Sequence, residues 1–189
     1  MFININSSDA LAESKWDQSD VPLNKAWTIK FNSSVNPSTC NENTIKLGYY
    51  DRKGELIYQE NALKVYSTGA NVCRAEKVNG EYLADSMYVL LINQGVRGIN
   101  GNSLKEEVKM EFKTVARYSI GFKDGLTMTE KNVIIQELDG GEIIRADDNV
   151  YIVTLTESAL KILQQNENVK YIEKDVLVEP TAKNEESRH

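Results

Sequence analysis

The chain has 189 residues, of which 41% are hydrophobic and 26% charged, and its formal net charge is -6. This composition is that of a folded globular protein, and the length allows two small domains. The chain lacks the clustered Lys and Arg of nucleic-acid-binding proteins, so no nucleic-acid partner is predicted. It also lacks the run of roughly 18 apolar residues that a membrane-spanning helix needs, so no insertion into a membrane is predicted.

Residues 1–14 contain neither the basic nor the apolar region of a signal peptide, and we expect them to be a flexible N-terminus. Residues 15–115 then show short segments in which apolar and polar residues alternate, at Trp27–Phe31, 44–47 and Met87–Ile92. Turns rich in Gly, Asn and Asp separate these segments. Short strands with regular turns predict an all-β antiparallel sandwich.

From residue 116 the pattern changes to strands that alternate with helices. The predicted elements are, in chain order, a strand at 118–122, a helix at 127–138, strands at 142–145 and 150–155, a helix capped by Thr156, and a strand from Val169. The order β-α-β-β-α-β predicts an α+β ferredoxin-like domain over 116–182. Residues 183–189 are expected to be a polar tail.

The residue types that catalysis and metal binding need are scarce. The sole histidine is His189, the last residue, so no imidazole general base or common zinc site is predicted within a fold. Cys40 and Cys73 are too few for a cysteine-rich metal site, and the sequence leaves open whether they form a disulfide. We therefore predict no catalytic residue, no cofactor and no metal, and a binding or structural protein rather than an enzyme.

Four segments of the second part carry a family resemblance. They are RYSIGFK (117–123), GGEI (140–143), TLTESAL (154–160) and VKYIEKD (169–175). In order and spacing this region resembles the subtilisin propeptide family, which includes free-standing peptidase inhibitors. The resemblance implies an inhibitor of a subtilisin-like serine protease, acting in cis or in trans, or a pro-region that also assists the folding of that protease as an intramolecular chaperone.

The same resemblance implies which residues contact the protease. Glu173 and Asp175 alternate along one strand, and in the family the corresponding acids cap two helix N-termini of the protease, where unpaired N–H groups favour negative charge. The tail residues Val178, Glu179, Pro180 and Thr181 would enter the active-site cleft as an extended strand in the four subsites before the scissile position.

The first part resembles a different family. The segments VPLNKAWTIKFN (21–32), YVL (88–90), GNSL (101–104) and FKT (112–114) are similar to bacterial Ig-like domains of surface-layer and other envelope proteins. This resemblance implies a secreted or cell-surface protein, although no signal peptide is visible, and it admits cell-envelope proteins as partners.

Two interpretations stay open beside the inhibitor. In one, the chain is a cell-envelope structural or interaction protein whose propeptide-like domain has no protease partner. In the other, Glu173 and Asp175 are only the solvated face of an edge strand, where charge discourages aggregation.

Overall fold

The computed structural model describes residues 2–5, 18–51, 53–78, 80–147 and 150–175. The chain divides into two compact units, Met1–Val115 and Ala116–His189, called unit 1 and unit 2 below. Within the described ranges, no helix has both the length and the apolar character required to cross a membrane.

The described residues of unit 1 form nine strands in two sheets. The strands are β1 Phe2–Ile5, β2 Gln18–Val21, β3 Trp27–Phe31, β4 Ile45–Tyr50, β5 Leu56–Gln59, β6 Leu63–Gly69, β7 Val72–Lys77, β8 Met87–Ile92 and β9 Val108–Thr114. One sheet has the order β1-β3-β7-β6 and the other the order β2-β9-β8-β4-β5. The pairs β1-β3 and β2-β9 are parallel, and the remaining pairs are antiparallel. Strand β1 lies within the segment expected to be flexible.

An aromatic group fills the centre of the unit 1 core. Trp27, Tyr82, Tyr88 and Phe112 are all buried, and the ring centroids of contacting pairs lie 4.9 to 5.4 Å apart. The Trp27 indole N–H donates to the Tyr82 hydroxyl at 3.1 Å, which gives both buried polar groups a partner. Burial raises the pKa of Tyr82 to about 12, although the Trp27 hydrogen bond acts in the opposite direction. The hydroxyl therefore stays neutral at physiological pH.

A disulfide joins Cys40 to Cys73 and decides the question that the sequence left open. The two Cα atoms are 5.7 Å apart, and both residues belong to the unit 1 core. Cys40 follows a short 3-10 helix, Pro37–Thr39, and Cys73 lies in β7. The bond thus fixes a loop segment to a central strand across a sequence separation of 33 residues.

We expect the double variant Cys40→Ala/Cys73→Ala to lower the free energy of unfolding by about 3 kcal/mol, because the uncrosslinked chain gains conformational entropy when unfolded. Urea denaturation of both proteins measures the difference. A reducing agent should destabilise the native sequence and leave the variant unchanged. Equal stability of the oxidised native protein and the variant would contradict this role.

In unit 2, the part of the chain that the structure describes contains four strands and two helices. In chain order these are β10 Ala116–Phe122, α1 Met128–Gln136, β11 Glu142–Ala146, β12 Tyr151–Leu155, α2 Glu157–Gln164 and β13 Val169–Lys174. All pairs of its sheet are antiparallel, and the sheet has the order β11-β12-β10-β13. Strands β11 and β13 are therefore its two edges.

Both helices pack on the same face of this sheet. Inward-facing residues of β10 and β12 alternate along their strands and form one buried cluster with Ile135 of α1 and with Ala159 and Leu163 of α2; the strand members are Ile120, Phe122, Tyr151, Val153 and Leu155. Ile172 of β13 packs against this cluster from the edge. The core of unit 2 consequently lies on one side of its sheet.

The predicted fold class is wrong. Of the described residues, 47% are in strands and 13% are helical, and the chain is a mostly β protein with three sheets and only two α-helices instead of the expected sandwich followed by an α+β ferredoxin-like domain. The strands and helices of unit 2 follow one another in the predicted order, but the two helices are short, with nine and eight residues, and strands make up most of the ordered structure. The helices contribute three of the buried residues in the unit 2 cluster, and strands contribute the others.

Helix α1 begins with a capping box. The Thr127 hydroxyl accepts the backbone N–H of Glu130 at 3.3 Å, and the Glu130 carboxylate accepts the backbone N–H of Thr127 at 2.8 Å. The backbone N–H of Thr127, followed by its hydroxyl, lowers the pKa of Glu130 below the usual glutamate value. Two N–H groups at this helix end thereby receive side-chain partners.

Because folding lowers the pKa of Glu130, the charged carboxylate stabilises the folded state, and this stabilisation is fully present at pH values above the unfolded-state pKa. The stabilisation is lost as the pH falls through the folded-state pKa, where the carboxylate becomes protonated. We expect Glu130→Gln to lower the melting temperature at neutral pH and to have no effect in acid well below the ordinary glutamate pKa of about 4.3. Thermal unfolding followed across pH measures this difference. A constant difference at all pH values would contradict the assignment. Glu137→Gln, at the other end of the helix, serves as the matched control.

Candidate functional site

Strand β13 presents alternate residues to opposite faces of the unit 2 sheet. Val169 and Ile172 pack against the core cluster. Tyr171 and Glu173 point to the other side, and Glu173 lies directly opposite Ser119 of β10. The backbone N–H of Asp175 donates to the carbonyl of Arg117 at 2.9 Å, so Asp175 continues the same register. Glu173 and Asp175 thus lie on one face, as the sequence predicts.

The sheet face away from the helices is called the open face. By alternation and register it comprises Arg117, Ser119, Gly121, Glu142, Arg145, Ile152, Thr154, Tyr171, Glu173 and Asp175. Among the described residues of unit 2, no helix packs on it. Its residues are mainly polar, and its largest apolar groups are Tyr171 and Ile152. Thr154 is buried, and the charged residues with the greatest exposure on this face are Glu142, Arg145 and Glu173, so these are the groups best placed for hydrogen bonds and charge contacts.

The two predicted carboxylates lie at the β13 edge of this face. Glu173 is exposed and Asp175 is partly exposed. Residues two apart in a strand are separated by roughly 6.5 to 7 Å, so the two carboxylates can reach two separate donors at the same time. Each carboxylate can accept hydrogen bonds from N–H groups and is attracted to positive partial charge. A helix N-terminus offers both, because its first N–H groups have no partner within the helix and carry the positive end of the helix dipole.

A contact between Tyr171 and Gly121 anchors β13, and the sequence analysis did not identify it. Gly121 pairs with Tyr171, and the tyrosine ring occupies the space that a Cβ at residue 121 would need. The register shifts directly after this pair. The signal in the sequence was a glycine inside a strand pattern, which often marks a bulge or a close approach. Tyr171 is 37% exposed, so its other face remains accessible on the open face.

We expect Gly121→Ala to lower the free energy of unfolding by about 1–3 kcal/mol, because the added methyl displaces the ring of Tyr171. In the Tyr171→Ala background the same change should be neutral or slightly stabilising, since alanine loses less backbone entropy than glycine on folding. A double-mutant cycle by urea denaturation measures the coupling. Equal effects in the two backgrounds would contradict the contact.

The remaining predicted contact residues, Val178, Glu179, Pro180 and Thr181, lie outside the described residues. In the part of the chain that the structure does describe, no group of three or more His, Cys, Asp or Glu side chains could hold a metal ion. The site that geometry defines is therefore the open face with its β13 edge.

No family model and no curated protein matches the chain. A solved structure that is similar to part of it is the N-terminal part of the bacterial S-layer protein SbsC, at 15% sequence identity and a TM-score of 0.38. The match covers 55% of this chain and 24% of that chain. This chain therefore spans about a quarter of the length of that structure.

Proposed function

We propose that the chain is a non-enzymatic inhibitor, or an inhibitory pro-region, of a subtilisin-like serine protease. In this proposal the open face of unit 2 docks on the protease, and the residues after Asp175 enter its active-site cleft. The observation that carries the proposal is the position of Glu173 and Asp175, side by side on the open face of an edge strand.

The strand geometry supports a docking role for this face. Because both helices pack on the other side, the open face remains without cover from the helices of its own unit. Tyr171 supplies a large rigid aromatic group beside the carboxylates, and aromatic side chains are enriched in binding hot spots. Cross-strand hydrogen bonds hold the register up to Asp175, so the position of that residue at the edge of the sheet is fixed.

The chemistry of the two carboxylates supports a helix N-terminus as the group that they bind. An anionic oxygen accepts N–H donors that have no partner within the helix and interacts favourably with the helix dipole. Segments beyond Asp175 would then pair with the substrate-binding strands of the protease, an arrangement in which backbone hydrogen bonds give affinity and side-chain pockets give specificity.

The disulfide supports a secreted or cell-surface location as part of this proposal. Disulfides form and persist in oxidising compartments and are rare in the cytosol of mesophiles. Cys40 and Cys73 are joined in the core of unit 1. A secreted inhibitor would share its compartment with secreted subtilisin-like proteases.

Inhibition of a purified subtilisin tests the proposal, with the full chain compared with a chain truncated after Asp175. We expect the full chain to inhibit and the truncated chain to lose inhibition, since the cleft-binding segment is gone. The double variant Glu173→Gln/Asp175→Asn should raise the inhibition constant by about tenfold, because two charged caps are replaced by neutral ones.

Glu137→Gln is the matched control, since Glu137 ends helix α1 on the covered side of the sheet and should not affect inhibition. No inhibition by the full chain, together with no cleavage of its tail, would contradict the proposal. It would favour the alternative of a cell-envelope interaction protein that has no protease partner. Recovery of activity by a denatured protease in the presence of the chain would distinguish a folding pro-region from a simple inhibitor.

A further inference from the structure

The four-stranded sheet of unit 1 has an outer side that faces away from the core. Ile29 of β3 and Cys73 and Ala75 of β7 are buried on its inner side, so the residues that alternate with them lie on the outer side. A group of these outer residues, joined by the strand register, is called the basic face below: Thr28, Lys30, Lys64, Tyr66, Arg74 and Glu76. All of them are at least partly exposed, so a ligand can reach their side chains.

The cations of the basic face lie on one diagonal line across three strands. On β7, Arg74 lies between Val72, which is opposite Lys30 of β3, and Glu76, which is opposite Lys64 of β6. Lys30 and Lys64 are therefore diagonal neighbours of Arg74 on its two sides. Diagonal neighbours in adjacent strands are roughly 7–8 Å apart, so the cations form a line of regular spacing. They are distant in the sequence, and only strand pairing brings them together.

The charge of the basic face is opposite in sign to that of the whole chain. Its three cations and one carboxylate, Glu76, give a local net charge of +2, whereas the formal net charge of the chain is -6. The other sheet of unit 1 also has lysines on its outer side, but there Lys109 forms a salt bridge with Glu107, and Lys113 forms one with Asp85. The basic face therefore attracts anionic groups, and the other outer face is closer to neutral.

Hydrogen bonds to Glu76 hold the centre of the basic face in place. The Tyr66 hydroxyl donates to Oε1 of Glu76 at 3.0 Å, and Nε of Arg74 donates to the same oxygen at 2.6 Å. The hydrogen bond from Arg74, followed by that from Tyr66, lowers the pKa of Glu76, so its carboxylate is charged at physiological pH. Nζ of Lys64 lies 5.5 Å from the centroid of the Tyr66 ring. The side chains of Arg74 and Glu76 are 40% and 33% exposed, so the other guanidinium N–H groups and Oε2 of the carboxylate can bind a ligand.

The carboxylate within the line of cations restricts the chemistry of the partner. A polymer that carries only anionic groups would be repelled by Glu76 and would offer its Oε2 atom no donor. A polymer that carries both carboxylates and hydroxyls satisfies every group of the face, because Arg and Lys bind carboxylates and a carboxylate accepts hydroxyl donors. Tyr66 adds an aromatic surface with a polar tip, on which the apolar face of a sugar ring can pack.

We propose that the basic face binds an acidic polysaccharide. Carboxylates of successive sugar units bind Lys30, Arg74 and Lys64, a sugar hydroxyl donates to Oε2 of Glu76, and a sugar ring packs against Tyr66. A linear polymer fits this surface better than a small ligand does, because the cations lie along a line on an open sheet. Several weak contacts on one polymer strengthen each other, since each one raises the effective concentration of the next.

Titration of the full chain with oligogalacturonate at physiological ionic strength, followed by two-dimensional NMR of the backbone amides, tests the proposal. We expect shift changes that are confined to strands β3, β6 and β7. The double variant Lys30→Gln/Lys64→Gln should weaken binding by about tenfold, because two exposed charge contacts are lost. Its melting temperature should equal that of the native chain, since both lysines are exposed.

The double variant Lys109→Gln/Lys113→Gln is the matched control, because it removes the same charge from the outer side of the other sheet. It should leave the affinity for oligogalacturonate unchanged. An equal loss of affinity in the two double variants would show attraction by net charge alone and would overturn the assignment to the basic face. The absence of shift changes would overturn the proposal.

Two further probes separate an acidic polysaccharide from other polymers. Polyglutamate has carboxylates without sugar rings, and dextran has sugar rings and hydroxyls without charge, so both should bind at least about tenfold more weakly than oligogalacturonate. Tyr66→Ala should weaken the binding of oligogalacturonate and leave that of polyglutamate unchanged. Equally tight binding of polyglutamate would overturn the assignment to a polysaccharide and indicate an acidic peptide. Equally tight binding of dextran would overturn the role of the cations. These outcomes are independent of protease inhibition, which concerns unit 2.

Discussion

The helices of unit 2 cover one face of a four-stranded sheet, and the properties of its other face follow from that asymmetry. Ile120, Phe122, Tyr151 and Val153 must point toward the helices to form a core. Since side chains alternate in a strand, their neighbours must point away. The alternation that places apolar residues in the core therefore also decides which residues lie on the open face. A shift of one residue in the pairing register of β13 would place Glu173 in the core position of Ile172.

Backbone register gives this face its fixed geometry. Strand β13 is an edge strand, yet its pairing with β10 extends to Asp175, and the ring of Tyr171 over Gly121 fixes the point where the register changes. Carboxylates on a paired strand have fewer accessible positions than carboxylates on a loop, so less conformational entropy is lost when they bind. This preorganisation is the physical basis on which the inhibitor proposal depends.

Local signals in the sequence predicted local structure well. Trp27–Phe31 and Met87–Ile92 are strands with the predicted bounds, and Thr156 caps a helix as predicted, because its hydroxyl acts within one turn. The helix predicted at 127–138 is shorter, Met128–Gln136, and Thr127 is its cap and not its first residue. Contacts between residues that are far apart in the sequence could not be predicted from these local patterns. The Cys40–Cys73 bond and the Tyr171–Gly121 contact both depend on contacts between segments that are distant in the sequence. The sequence pattern also did not reveal that the two helices of unit 2 have only nine and eight residues.

The polar character of the open face constrains how any partner can bind there. Ser119, Arg145, Glu173 and Asp175 are polar or charged groups of this face that are at least partly exposed, and Tyr171 and Ile152 are its larger apolar groups. Burial of such a face releases less hydrophobic free energy per unit area than burial of an apolar one, so affinity must come from hydrogen bonds, charge complementarity and an additional binding segment. A partner that used only this face would therefore bind weakly and dissociate quickly. A partner that also held the chain beyond Asp175 would gain affinity from the linkage of two contacts, because the second contact forms at a high effective concentration.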